Sequence, residues 1–287
     1  MRYGETASLL WYFNIVSRPD DFITFKRRNI IKSAIVKSIN QPDSLSRIVL
    51  QIQPTIVAAL QLWSQMPRIN ALYQVKKVTL DYTMRYIAHL IFSSSHIDAI
   101  AKLFDGIVYG FRAQPWNLPG TTYHHALKEE NKAMIKENNN ESITYEDILK
   151  LKYTNKVAEE TIRMANLSAF VFRKATDDIV FKGYLIPKGW SVLVWLRNLH
   201  NDPTNFEDPL SFNPDRWDTR PKQGTYHPFG GGSRSCAGSA LVRVSLAIFL
   251  HHLSIGYKWE LLNPGAKVKY LSHPLPSDGL EISINKV

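Results

Sequence analysis

Residues 229–238 contain the only cysteine of the 287-residue chain and read Phe229-Gly230-Gly231-Gly232-Ser233-Arg234-Ser235-Cys236-Ala237-Gly238. A lone cysteine is usually a small buried hydrophobic residue without chemistry. Here four glycines lie within six residues of the sulfur, and glycines let the backbone approach a flat ligand closely. An apolar helical pattern starts at Ser239, and the positive end of a helix dipole favours an anion such as a thiolate. Arg234 can bind a carboxylate through two parallel hydrogen bonds. Together these residues indicate a haem site in which the thiolate ligates iron and Arg234 binds a propionate.

Five residues of this stretch fit the pattern F-x-x-G-x-R-x-C-x-G, namely Phe229, Gly232, Arg234, Cys236 and Gly238. The pattern resembles the haem-thiolate signature of the cytochrome P-450 monooxygenases. The resemblance implies that haem b is the cofactor, that Cys236 is the axial ligand of its iron, and that the other four residues contact the haem. Within the family, the chain resembles plant terpenoid oxidases of the ent-kaurenoic acid oxidase and β-amyrin 11-oxidase type, through the segments 116–120 and 123–128.

A second set of candidate residues lies in a helical pattern over residues 152–166, which contains Glu160-Thr161-Ile162-Arg163. Glu160 and Arg163 lie on one face of a helix at this spacing and can pair. Most such pairs are exposed and contribute little, but the neighbouring residues here are mostly apolar, and two buried charges need further hydrogen-bond partners. The family resemblance assigns that role to Arg216. The three residues are expected to form a structural triad that supports the haem side of the fold without touching substrate.

The most strand-like part of the chain follows this helix. Residues 178–185 and 190–196 are rich in β-branched and aromatic side chains, and Pro187-Lys188-Gly189 between them predicts a turn. Residues 170–173 predict a further strand. By resemblance Arg173 of this strand reaches a haem propionate, and a surface arginine is the alternative.

Helical patterns dominate the rest of the chain, so the expected fold class is mainly α with a smaller β part. Thr144 and Asp147 are placed to form a capping box. The helix after Cys236 is apolar nearly all round, which is typical of a buried helix. A highly charged stretch begins at Glu129, and we expect a helical N-terminal part over residues 1–128 and a haem-binding part over residues 129–287.

One feature of the resembling family has no counterpart in the sequence. In cytochrome P-450 enzymes a long helix crosses the distal haem face and carries an acidic residue and a threonine within A-G-x-[DE]-T, and this motif occurs nowhere in the chain. No oxygen-activating residue is therefore assigned. Family-like segments are joined near Phe25 and near Lys128, which predicts a chain shortened internally and at its N-terminus, without the central helix.

By resemblance, an intact relative inserts one oxygen atom of O2 into a C–H bond of a di- or triterpenoid. Its electrons come from an NADPH-cytochrome P-450 reductase, and it works at the endoplasmic reticulum membrane. The alternative is a catalytically inactive remnant with impaired haem binding.

The net charge of +10 would suit nucleic acid, an anionic membrane or an acidic protein, but the sequence has no nucleic-acid recognition motif. A single cysteine excludes a disulfide framework and cysteine-rich zinc sites. No apolar run is long enough to span a bilayer, so no transmembrane anchor is expected and the chain is a candidate for the cytosol.

Overall fold

The computed structural model describes residues 33, 36, 38–87, 91, 93, 97–98, 122–138, 142–165, 167–232, 235–271 and 273–287. Arg234 of the expected haem set lies outside these residues, as do segment 116–120 and the junction near Phe25. The described residues form mainly helices with short antiparallel strands, which confirms the expected fold class.

Two helices and a short strand come first in the described part of the chain. Helix α1 (Pro42–Trp63) begins with a proline, which is favourable at the first helical position because its missing N–H would be unpaired there anyway. Strand β1 (Ile69–Asn70) leads into α2 (Ala71–Tyr82), which continues as one π-helical turn over Thr83–Ile87. The Asn70 side chain accepts a hydrogen bond from the Tyr73 N–H and so caps the start of α2.

The next three helices are α3 (Thr122–Glu137), α4 (Tyr145–Lys150) and α5 (Lys152–Ala165). The predicted capping box is confirmed, because the Thr144 side chain accepts from the Asp147 N–H while the Asp147 carboxylate accepts from the Thr144 N–H. Helix α3 runs unbroken through the expected boundary between residues 128 and 129.

The strand region differs from its prediction in one respect. Strand β2 (Val171–Lys174) pairs antiparallel with β5 (Ser191–Val194). Residues 178–185, expected as one strand, instead form a hairpin of β3 (Ile179–Phe181) and β4 (Tyr184–Ile186). The hairpin turns at Lys182 and Gly183, whose φ angles of 50° and 84° allow a tight two-residue turn that matches the twist of the strands.

The remaining elements carry the cysteine loop and the C-terminal sheets. Helix α6 (Leu196–Asn201) and a 3₁₀ turn (Pro214–Asp218) precede the loop, and α7 (Ser239–Gly256) follows it. Strand β6 (Tyr257–Leu261) and β9 (Glu281–Lys286) form a three-stranded antiparallel sheet with β1, in the order β1-β9-β6. Strands β7 (Val268–Leu271) and β8 (His273–Pro276) form a separate hairpin.

Helix α7 lies at the centre of the fold and packs against α1, α3 and α5. Among its residues only Val242 is exposed, but most of the helix is partly buried and five residues are buried, so the predicted burial holds in part. The larger core cluster combines Ile52 and Leu60 of α1 with Val244 and Ile248 of α7. By length and composition alone, α1 and α7 could each cross a membrane. Their shared core contacts are those of packed helices in a globular fold.

Candidate functional site

The cysteine loop is closed by main-chain hydrogen bonds. The Cys236 N–H donates to the Phe229 carbonyl at 2.8 Å, and inside the loop the Ser235 N–H donates to the Gly232 carbonyl at 3.1 Å. Cys236 itself is exposed, and α7 begins three residues after it. The thiol therefore stands on a tight loop whose far end is fixed by the most central helix of the fold.

Two glycines of this loop are required by the backbone. Gly230 and Gly232 have φ angles of +71° and +67°, and a Cβ added at either position would meet no atom within 4 Å. Left-handed φ angles strain residues other than glycine, so these positions need glycine although space is available. A Cβ at Gly238 would lie 3.9 Å from the Cys236 sulfur. An exposed sulfur beside a glycine loop with open space around it fits a broad, flat group such as haem.

The Glu160 side chain forms the centre of a buried ionic network. Arg163 donates two hydrogen bonds to it at 2.8 Å each, and the Arg216 Nε donates a third at 3.0 Å. The Asn213 N–H and the Trp217 indole N–H donate two more, each at 3.0 Å. The side chains of Glu160 and Arg163 have no exposed surface. The structure thus brings together the three residues assigned to the triad, and it adds Asn213 and Trp217 as partners.

Burial would by itself raise the pKa of the Glu160 carboxyl, but the hydrogen bonds from Arg163 and Asn213 and the charges of Arg163 and Arg216 outweigh burial, so the pKa lies below its ordinary value. The carboxylate therefore stays charged, which matches its two arginine partners.

His200 connects this network to the start of the cysteine loop. Its carbonyl accepts a hydrogen bond from Arg163 at 2.8 Å, and its ring Nε2 accepts from the His227 N–H at 3.1 Å. Burial, together with the charges of Arg163 and His227, lowers the pKa of His200 to about 4. A neutral ring is the form that can accept the His227 N–H, so the two observations agree.

Three residues near the loop were not found from the sequence. Glu159, next to Glu160, accepts hydrogen bonds from Arg243 of α7 and from the Tyr226 hydroxyl. The Arg243 guanidinium carbon lies 4.7 Å from the centre of the Phe229 ring. Glu159 and Arg243 are 84 positions apart, and no local pattern links them, so only the three-dimensional packing of α5 on α7 reveals the contact.

Arg173 stands on β2 opposite Val192 of β5. Its side chain is exposed, and its Nη1 donates to the neighbouring Phe172 carbonyl at 2.8 Å. The expected contact of Arg173 with a propionate stays a prediction.

Among the described residues, no group of three or more His, Cys, Asp or Glu side chains is arranged to hold a metal ion. Binding of a haem iron by one cysteine would need no such group, because the porphyrin itself supplies nitrogen ligands to the iron.

Comparison with known proteins places the chain in one family. A family model described as Cytochrome P450 matches residues 121–277. Ent-kaurenoic acid oxidase 2 of Arabidopsis thaliana is 29% identical over 347 aligned positions, covering 89% of this chain and 71% of the relative. Ent-kaurenoic acid oxidase of Oryza sativa subsp. japonica is 45% identical over 146 positions, covering 50% of this chain and 29% of the relative. The first alignment is longer than the chain, so that relative has segments without a counterpart here.

A solved structure supports the fold. The cyanobacterial CYP120A1 with bound retinoic acid superposes with a TM-score of 0.67 at 20% identity, covering 88% of this chain and 78% of that chain. This likeness concerns the fold. The family match spans more than half of the chain, and the matched residues include the Glu160 network and the cysteine loop. The chain is therefore a member of the cytochrome P450 family.

Proposed function

We propose that the chain binds haem through the Cys236 thiolate and belongs to a monooxygenase that oxidises a terpenoid. The observation that carries the proposal is the exposed Cys236 sulfur on a loop closed at Phe229 and fixed by α7. Haem, when bound, supplies the redox chemistry that activates O2 for insertion of an oxygen atom into a C–H bond. The remaining roles belong to the residues of the chain.

The roles of the chain's residues follow from their positions. Cys236 provides the sulfur ligand, and Phe229, Gly232 and Gly238 shape the loop that meets the haem. Arg234 is proposed to bind a propionate through its planar guanidinium, and Arg173 is proposed as a second propionate contact. Glu160, Arg163 and Arg216 hold α5 to the segment before the loop, and this network acts on the loop indirectly, without touching substrate.

The proposed substrate class comes from the relatives. Two of them, from Arabidopsis thaliana and Oryza sativa subsp. japonica, are named ent-kaurenoic acid oxidases, and the sequence resembles terpenoid oxidases of this type. A di- or triterpenoid acid or scaffold is therefore the first substrate to test. An NADPH-cytochrome P450 reductase is the proposed electron donor, and the cytosolic face of the endoplasmic reticulum is the proposed site of action.

The experiment that tests the haem site is a carbon monoxide difference spectrum of the reduced, haem-loaded chain. Thiolate ligation moves the Soret band to a characteristic position, and we expect the wild-type chain to show it. Cys236→Ser should abolish that band because it removes the ligand, whereas Ser235→Ala, a change of similar size in the same loop, should retain it. A wild-type chain without this band would contradict the proposal.

The same preparation separates the enzyme from an inactive remnant. With reductase and NADPH, a monooxygenase converts ent-kaurenoic acid or a related terpenoid into a product heavier by one oxygen atom, as measured by mass spectrometry. A chain that shows the thiolate band but forms no product from a panel of di- and triterpenoids would be a haem-binding remnant without monooxygenase activity.

A further inference from the structure

Glu159 and Glu160 are neighbours on α5, but their carboxylates serve different parts of the molecule. Glu160 is enclosed by Arg163, Arg216 and their partners. Glu159 faces the cysteine loop, where it accepts hydrogen bonds from Nε and Nη2 of Arg243 and, at 2.7 Å, from the Tyr226 hydroxyl. Glu159 therefore fixes the Arg243 guanidinium on one edge.

The face of the same guanidinium lies over an aromatic ring. Its central carbon is 4.7 Å from the centre of the Phe229 ring, a distance at which a cation is attracted by the ring's electrons. Phe229 is also the residue whose carbonyl accepts the Cys236 N–H at 2.8 Å. Arg243 thus contacts the side chain of the residue whose main chain closes the cysteine loop.

The exposure of the pair limits what it can contribute to overall stability. The side chains of Arg243 and Glu159 are 37% and 22% exposed, and ion pairs that water reaches contribute little to the stability of the whole fold. The contact with Phe229 has a local consequence instead, because it restricts the residue whose carbonyl accepts the Cys236 N–H at the start of the cysteine loop.

We propose that Arg243, held by Glu159 and Tyr226, is a positioning residue that keeps Phe229 in place and so holds the cysteine loop in the form that ligates haem iron through the thiolate. The part that concerns haem rests on the proposed function. The part that concerns the closed loop does not require haem, so the two parts can be tested separately.

The first test uses the haem-free chain and measures hydrogen exchange at the Cys236 amide. Arg243→Met removes the cation while keeping much of the side-chain volume, and we expect roughly three- to tenfold faster exchange at this amide, from the usual strength of a cation over an aromatic ring. Arg243→Lys keeps the charge and should restore part of the protection. The matched control is Arg68→Met, which removes an exposed arginine that is paired with Glu281 at 3.4 Å, and it should leave the Cys236 amide unchanged.

The second test uses the haem-loaded chain and the carbon monoxide difference spectrum. Arg243→Met and Glu159→Gln should each lower the fraction of the thiolate band in favour of the band of a protein without thiolate ligation. Arg243→Lys should recover part of that fraction. The control variant Arg68→Met should show no loss of the thiolate band. A purely structural role would not produce this spectral change at unchanged stability, so the midpoint of urea unfolding is measured for every variant.

The outcomes separate the two proposals. If Arg243→Met leaves exchange at the Cys236 amide unchanged, or raises exchange equally throughout the chain, the positioning role is wrong, whether or not haem binds. If the wild-type chain shows no thiolate band, the proposed function fails, while the exchange measurement still decides the role of Arg243. If exchange rises at the loop but the thiolate fraction stays constant, loop closure does not control ligation, and the part of the proposal that concerns haem is wrong.

Discussion

Glu160 is a single residue on which several parts of the fold depend. It has no exposed side-chain surface, and it accepts five hydrogen bonds from Arg163, Asn213, Arg216 and Trp217. Arg163 lies on α5 itself, whereas Asn213 directly precedes the 3₁₀ turn and Arg216 and Trp217 lie within it. Removing its charge would leave Arg163 buried without a counter-ion, and a buried charge without a partner is strongly unfavourable.

We expect Glu160→Gln to lower the free energy of unfolding by about 3–5 kcal/mol, the usual effect of removing one partner of a buried ion pair. The measurement is urea unfolding followed by circular dichroism. Glu281→Gln is the matched control, since Glu281 pairs with the exposed Arg68, and it should change the unfolding free energy by less than about 1 kcal/mol. Equal effects of the two changes would show that the Glu160 network contributes no more than a surface pair.

At the scale of elements, a chain of buried polar groups joins α3, α5 and α7. Asn131 of α3 donates to the Leu127 carbonyl and, at 2.9 Å, to the Thr154 hydroxyl, so its Oδ1 accepts from the His251 Nδ1–H at 2.6 Å. The Thr154 hydroxyl donates in turn to Glu130 at 2.7 Å. The same Glu130 accepts the N–H groups of residues 153 and 154, and so caps the first turn of α5.

Asn131→Leu should therefore loosen the contact among these three helices. It leaves the His251 N–H without its acceptor and removes a donor to Thr154, and an unsatisfied buried polar group costs about 1–3 kcal/mol. Differential scanning calorimetry measures the loss of stability. Ser46→Ala, which removes an exposed hydrogen bond to the Pro42 carbonyl, is the control and should change little. A stable Asn131→Leu variant would indicate that apolar contacts alone hold α3 to α7.

The elements also show which features a sequence can predict. The capping box at Thr144 and the buried character of α7 depend on residues close together in the chain, and both were predicted. The β3–β4 hairpin was missed because its turn consists of only Lys182 and Gly183, both left-handed, with strand-forming residues directly on either side. The Glu159–Arg243 contact was missed because it joins distant parts of the sequence. Cys236 and Glu160 were found through motifs, and Arg163 and Arg216 were predicted as partners of Glu160, but the contacts of Asn213 and Trp217 with Glu160 required the fold.

At the scale of the whole molecule, the buried His200 and His251 and the partly buried His252 connect stability to pH. Burial lowers the pKa of His251 to about 3 and that of His252 to about 4, with a further contribution to His251 from the neighbouring His252. His200 has a pKa of about 4 for the reasons given above. All three values lie below the ordinary histidine value of 6.5, so the unfolded chain binds protons at a higher pH than the folded chain.

The free energy of unfolding should therefore fall as the pH falls from about 6.5 towards 4, by about 1.4 kcal/mol per pH unit for each histidine. Urea unfolding at a series of pH values measures this slope. His252→Leu should reduce the slope because it removes one of the three titrating rings. Leucine should be tolerated there, since the His252 Nε2 has no hydrogen-bond partner among the described residues. The exposed His125 provides the control, and His125→Gln should leave the slope unchanged. A stability that is constant over this range would mean that the three rings are protonated in the folded state.

The neighbouring positions of Glu159 and Glu160 limit where this protein can change in length. Successive residues on a helix point about 100° apart, so the two carboxylates together fix the rotation of α5, Glu160 through Arg216 and Glu159 through Arg243. One residue inserted just before Glu159 would rotate the first half of α5 relative to Glu159 and move Thr154 away from Asn131 and Glu130. One residue inserted between Glu160 and Arg163 would turn the arginine away from both Glu160 and the His200 carbonyl. Insertions and deletions in relatives should therefore cluster outside residues 159–163, in the connections on either side of α5.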